Sequence, residues 1–357
     1  MGAHWFAGRL NLMSTSFVRF SGYLCLLASL LIQAGALRAE LVWTPATGWQ
    51  IEGGALSGLV GEDGRKALDQ MNSARGYEEA RSYGKAARSY ERVGKRFANS
   101  VFAPEAFYRA GHMRLDRKQY YKAHEDFQQV VGRYPNYTRF NEIIGEQYRI
   151  ASALLDGARN RIWGIIPGFT NREKAVEYFE VLLITAPYSD YAPLSLMNIA
   201  RAHQRMGNVE ESIDALDRMI NFYPQSLLTP DAYLRLAQGH ASLVEGPYYD
   251  QASTREAVTY FEDFMILYPS DAGVSTAEKG LSEMKKVLAE SKIKIADFYF
   301  YKRDNYMAAR VFYNEAITVF PDSSVAEKAR AQLAKVEAAE AKSSAAGKKR
   351  SKKFLFF

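Results

Sequence analysis

The sequence predicts an all-α solenoid built from about five to six stacked helix pairs and closed by a C-terminal capping helix. Three observations lead there. The skeleton Ala123/Phe127/Val130/Pro135, within the stretch Lys122–Pro135 (KAHEDFQQVVGRYP), places a small residue, an aromatic, an apolar residue and a helix-ending proline at fixed offsets. It returns as Ala175/Phe179/Leu182/Pro187, Ala257/Phe261/Phe264/Pro269 and Ala309/Tyr313/Ala316/Pro321, with looser copies at Ala86/Tyr90/Val93/Ala98 and Ser212/Leu216/Met219/Pro224. The chain between these copies is apolar at helical period, and a chain of 357 residues adds core repeat by repeat more easily than around one centre.

The first 39 residues carry Arg9 and Arg19 ahead of the apolar run Tyr23 to Ile32, followed by the small-residue site Ala34-Gly-Ala36. Basic start, short apolar run and small-x-small site predict an export signal at 1–39, cleaved after Ala36 or Ala39, with Met13 as an alternative start. The run is shorter than the roughly 20 apolar residues that a membrane span needs. Cys25 is the one cysteine, so the exported chain has neither a disulfide nor a thiolate metal site. Leu24 stands before Cys25 where a lipid-attachment motif needs Gly or Ala, so Cys25 reads as signal core and a lipid anchor is doubtful.

Residues 40–64 are rich in Gly, carry Trp43, Pro45 and Trp49, and lack helical period; they read as an extended lead-in whose tryptophans dock on the first repeat in preference to a partner. The solenoid with its cap is expected over 65–341. In the second repeat, Ala103-Pro104 opens a first helix carrying Phe107, Ala110 and Gly111, offsets of the tetratricopeptide (TPR) pattern. Gly111 and Ala123 let the paired helices approach, Phe127 fills the space between them, and Pro135 stops the second. Later first helices show Leu196, Ile199, Ala200 and Gly207, then Tyr233, Leu236 and Ala237, then Ile293, Ala296 and Tyr299.

The terminators at 98, 135, 187, 224, 269 and 321 are spaced 37, 52, 37, 45 and 52 residues apart, against a basic TPR period of about 34. Insertions are therefore expected at Asp156–Phe169 and Glu245–Gln251, and a lengthened helix from Ser275 to about Tyr301. Each insertion ends at a capping-box pattern, Thr170-x-x-Glu173 and Ser253-x-x-Glu256. Trp163, Ile165 and Ile166 of the first one are conspicuous apolar candidates for a partner contact, with packing into the solenoid's own groove as the equal alternative. Ser323–Ala341 reads as the capping helix, and 342–357 as a basic flexible tail.

The net charge of +6 is carried by the ends. Three arginines before residue 40 and six basic residues after Glu340, with no acid in either segment, leave the body about three charges negative. Bulk charge gives no case for nucleic acid. The five histidines form no HExxH pair, there is no phosphate loop with GK[ST] and no GxSxG elbow, so no catalytic residue, cofactor site or metal site is expected.

A helix-pair array presents a concave groove lined by its first helices. Counting from the small position of each repeat gives Tyr108 and His112, then Met197, Arg201 and Arg205, then Leu234 and Gln238, then Lys294, Phe298 and Tyr301 as partner-binding candidates, with Trp163 from the insertion. Aromatic, apolar and basic groups in one groove suit an extended peptide with apolar and acidic contacts.

Three stretches carry a family resemblance: Tyr134-Pro135-Asn136, Thr170–Phe179 running on to Ala186–Ala192, and Ile295–Ala309. Over about residues 77 to 335 the chain resembles the BamD family, TPR lipoproteins of the outer-membrane β-barrel assembly machinery. The resemblance implies a non-catalytic periplasmic scaffold at the outer-membrane periphery. It also implies N-terminal repeats that recognise unfolded outer-membrane proteins and C-terminal repeats that hold a BamA-like barrel subunit. The chain departs from the family in the absent lipid-attachment motif and in six apparent repeats where five are typical. The alternative is another periplasmic TPR adaptor, of the type that coordinates cell division with peptidoglycan synthesis.

Overall fold

The computed structural model describes residues 40–52 and 62–354. The expected export signal at 1–39 with Cys25, part of the lead-in at 53–61, and the final residues 355–357 lie outside the described residues. Thirteen helices and two short hairpins make up the described residues. They fall into two compact units, one containing the chain up to Ile150 with Ala158–Thr170, the other Ala151–Gly157 with Asn171 onward.

The first unit opens with strands β1 (Glu40–Thr44) and β2 (Gly48–Glu52), antiparallel with Trp43 opposite Trp49. Helix α1 (Glu62–Glu79) receives this hairpin: Asn72 Oδ1 accepts the Trp49 amide at 2.6 Å, and the Arg75 guanidinium lies 4.0 Å from the Trp43 ring centroid. Helix α2 (Tyr83–Arg96) pairs with α1, and α3 (Phe102–Asp116) with α4 (Tyr120–Arg133). Helix α5 (Phe140–Leu155) follows, then the insertion with strands β3 (Arg161–Ile162) and β4 (Ile166–Pro167).

The second unit continues with α6 (Arg172–Thr185), α7 (Tyr191–Met206), α8 (Val209–Phe222), α9 (Thr229–Ser242), α10 (Ala252–Leu267), α11 (Val274–Arg303), α12 (Tyr306–Val319) and α13 (Ser324–Phe354). Each packs on the next in chain order from α6 to α13, as short connections require. The architecture is an all-α TPR array, in which α2, α4, α6, α8, α10 and α12 are the second helices that carry the recurring skeleton.

Burial follows that skeleton. Ala123, Phe127 and Val130, and their counterparts in the other five copies, are all buried. Where Ser212 replaces the small Ala, its hydroxyl donates to the Ala200 carbonyl of α7 at 3.0 Å, which satisfies it inside the core. The tyrosine before a terminating proline has a second role. Tyr134 Oη donates to the Ala98 carbonyl, and Tyr223 Oη to the Pro187 carbonyl at 2.7 Å, each tying a loop to the loop one repeat earlier.

Three local expectations change. Helix α6 is capped by Asn171, whose side chain accepts the Lys174 amide at 2.8 Å, one residue later than the Thr170 pattern. Helix α10 begins at Ala252, so Ser253 lies inside its first turn and no side chain caps it. The chain from 342 to 354, expected as a flexible tail, continues α13 as helix. Its Ala and Lys residues are good helix formers, and no proline interrupts them.

Candidate functional site

In the first unit the expected groove residues are spent on packing. Tyr108 is buried; its hydroxyl donates to Glu142 and its ring meets His112 at 4.5 Å and Tyr137 at 6.2 Å between centroids. Burial, reinforced by the Glu142 hydrogen bond, pushes the Tyr108 phenol up to about 12. His112 lies edge-on to Phe127 at 5.3 Å, and burial lowers its pKa. Tyr108 therefore does not face a groove, and His112 is half-buried between Tyr108 and Phe127. The start of α5 and the turn before it cover that face of α3, a tertiary effect that spacing along α3 cannot register.

In the second unit three expected residues meet. Met197 and Arg201 of α7 and Gln238 of α9 line a cleft of about 410 Å³, with Arg235, Gly239 and Leu216. Gly239 allows the close approach of α9 to α8: an added Cβ would stand 3.0 Å from Ile213 Cγ1. Asp156 restrains the basic groups, lying 3.4 Å from Arg201 and 3.3 Å from Arg205. Arg235 is paired with Asp231 at 2.7 Å on its own helix. Arg205 also donates to the Leu155 carbonyl and does not line the cleft.

The remaining candidates separate. Leu234 packs into the core around Phe261 and Phe264. Lys294 sits over Tyr248 of the second insertion at 4.8 Å, while Phe298 and Tyr301 are exposed further along α11. Tyr301 donates to Gln332 of α13 at 3.1 Å. Trp163 stands at the turn of the β3–β4 hairpin, 72% exposed.

A larger site went unforeseen. Between the second helices α6 and α8 lies an apolar groove of about 1000 Å³, lined by Leu183, Ile184, Pro187, Tyr188, Leu194, Phe222, Leu227 and Leu228. Its mouth is strongly apolar, with Ile184 81%, Tyr188 99%, Phe222 70% and Leu227 97% exposed. Its polar element is a two-bond pair in which Arg218 donates to both Glu180 oxygens at 2.7 and 2.9 Å. The hydrogen bonds to Glu180 hold the guanidinium even more firmly in its charged form. Patches of this kind mark interaction surfaces. The sequence carries a signal for it: Ile184 and Phe222 fall off the core face of their helices, and Tyr188 and Leu227 follow the terminating prolines.

Among the described residues no three His, Cys, Asp or Glu side chains come together as a metal site. No described helix is long and apolar enough to cross a membrane.

Comparison with known proteins bears on the same region. Residues 170–354 match the family model described as YfiO, outer membrane lipoprotein. Outer membrane protein assembly factor BamD of Caulobacter vibrioides is 28% identical over 100 residues, covering 28% of this chain and 33% of that protein. The chain thus spans about a third of that relative's length. Among solved structures, MamA from Desulfovibrio magneticus RS-1 aligns over 60% of this chain and 99% of its own, with 17% identity and a TM-score of 0.29. A TPR-repeat protein of Bacteroides fragilis aligns over 75% and 97%, with 12% identity and a TM-score of 0.33. The family match spans every residue that lines the α6–α8 groove and more than half of the 357 residues. The chain belongs to the YfiO outer membrane lipoprotein family.

Proposed function

We propose that this protein is a non-catalytic adaptor in the assembly of outer-membrane β-barrel proteins, acting in the periplasm at the membrane periphery. It would hold a BamA-like assembly subunit, unfolded barrel substrates, or both. The apolar α6–α8 groove carries this reading. It is large enough for several side chains of an extended segment, it is walled by aliphatic and aromatic groups, and it lies within the family-matched stretch. The Arg218–Glu180 pair supplies the polar contact that orients such a segment. The neighbouring α7–α9 cleft, lined by Met197, Arg201, Arg235 and Gln238, offers further polar contacts to the same partner.

In-cell photocrosslinking from positions 188 and 227 tests this. Crosslinks to a BamA-type protein or to unfolded barrels, with loss of outer-membrane barrels on depletion, are expected. Crosslinks to septal or peptidoglycan-synthesis proteins, with normal barrel levels on depletion, would move the protein to the other class of periplasmic adaptor.

A further inference from the structure

The β3–β4 hairpin has no role in the adaptor surfaces described above. It carries Ile162, Trp163, Ile165, Ile166 and Phe169, exposed by 49, 72, 74, 50 and 93%. Five large apolar side chains in eight residues form a projecting apolar tip, not a wall of a pocket.

The tip is rigidly built. Residues Trp163 and Gly164 have φ of +53° and +77°, the pairing of left-handed residues found in tight hairpin turns. A bulky residue is seldom found in that region, so Trp163 is held there by its surroundings. The Arg117 guanidinium donates to the Trp163 carbonyl and packs beneath Gly164, where an added Cβ would stand 2.7 Å from Arg117 Nε. The Arg161 amide donates to the Lys118 carbonyl at 2.8 Å, and Asn160 Oδ1 accepts the Tyr121 amide at 3.2 Å. Within the hairpin, Ile165 N–H bonds Ile162 O at 3.2 Å and Gly168 N–H bonds Asn160 O at 2.8 Å. With these amides and the Trp163 carbonyl already paired, moving the tip out of water leaves fewer polar groups to desolvate.

Charge decides the partner. Between residues 157 and 169 the chain has Arg159 and Arg161, both exposed, and no acid. Arg117 and Lys118 stand at the hairpin's base, with Asp116 as the acid beside them. An apolar tip containing Trp above a basic collar is the chemistry of an interfacial anchor. We propose that this hairpin inserts into the surface of an anionic phospholipid bilayer, a contact independent of any lipid on Cys25.

The test uses the full chain with Cys25→Ser and a nitrobenzoxadiazole fluorophore on Ile165→Cys, an exposed position. Vesicles of phosphatidylcholine with phosphatidylglycerol should shift the emission to the blue with a several-fold rise in intensity. The response should weaken as ionic strength rises and fall several-fold in Arg159→Ser/Arg161→Ser. The same label on Asp250→Cys, in the other unit, should stay at its aqueous emission. An aqueous signal at position 165 while the chain sediments with the vesicles would overturn the proposal. So would an equal response to pure phosphatidylcholine, or a shift produced by envelope proteins in the absence of lipid.

Discussion

The Phe127 ring stands where a side chain on Gly111 would have to go: a Cβ built on Gly111 falls 2.6 Å from Phe127 Cε1. The same exchange of hydrogen for ring joins Gly94 to Phe107 and Gly280 to Phe261. Small residue and aromatic are thus one device, split between two helices that pack together.

Phe127→Ala should destabilise the first unit by about 3–5 kcal/mol, because it leaves a cavity between α3 and α4. Gly111→Ala should cost about 1–3 kcal/mol by overpacking the same space. Equilibrium urea denaturation measures both. An effect of Phe127→Ala below about 1 kcal/mol would show that the two helices do not meet through this ring.

Asp126 gives a pH signature. Its side chain, buried beside Arg114 and near Glu91, is pushed up to about 7, chiefly by burial, from an ordinary 3.8. The folded state then binds more protons than the unfolded state between about pH 4 and 7. This group's contribution is fully present below about pH 4 and lost as pH rises to 7. The melting temperature of Asp126→Asn relative to wild type should therefore climb from pH 4 to 7 and level off above. A difference that is constant over this range would contradict the assignment.

The start of α6 separates two neighbouring residues. Asn171→Ala removes the side chain that accepts the Lys174 amide and should cost about 1 kcal/mol, whereas Thr170→Ala should change stability by less than about 0.5 kcal/mol. Thermal denaturation of the two variants checks this, and the reverse order would return the cap to Thr170.

The α6–α8 groove can be tested apart from folding. Tyr188→Ser and Leu227→Ser alter side chains that are almost wholly exposed, so each should leave stability within about 0.5 kcal/mol. If they anchor a partner, retention of that partner in a pull-down should fall by about 30-fold, the equivalent of a 2 kcal/mol anchor. Unchanged retention would remove the groove from the interface.

Much of the fold was legible because its cause is local. Ala, Phe and Val at i, i+4 and i+7 lie on one face of a helix whatever surrounds it, and a following proline ends that helix. The lengthened α11 and both insertions followed from the spacing of those prolines. The candidate site was less legible. Counting along first helices brought Met197, Arg201 and Gln238 to one cleft, yet it also offered Tyr108, which the start of α5 and its preceding turn cover.

By itself, then, the sequence determined the helices, their pairing and the residues between them, since each rests on contacts a few residues to one helix pair apart. Tertiary structure alone decided which remaining apolar groups face water. Ile184, Tyr188, Phe222 and Leu227 share a groove because the turns before α7 and α9 are stacked, with Tyr223 bonded to the Pro187 carbonyl 36 residues earlier. That stacking depends on the angle between successive helix pairs. The angle is set by the sum of many side-chain contacts between repeats, and no single spacing in the chain encodes it.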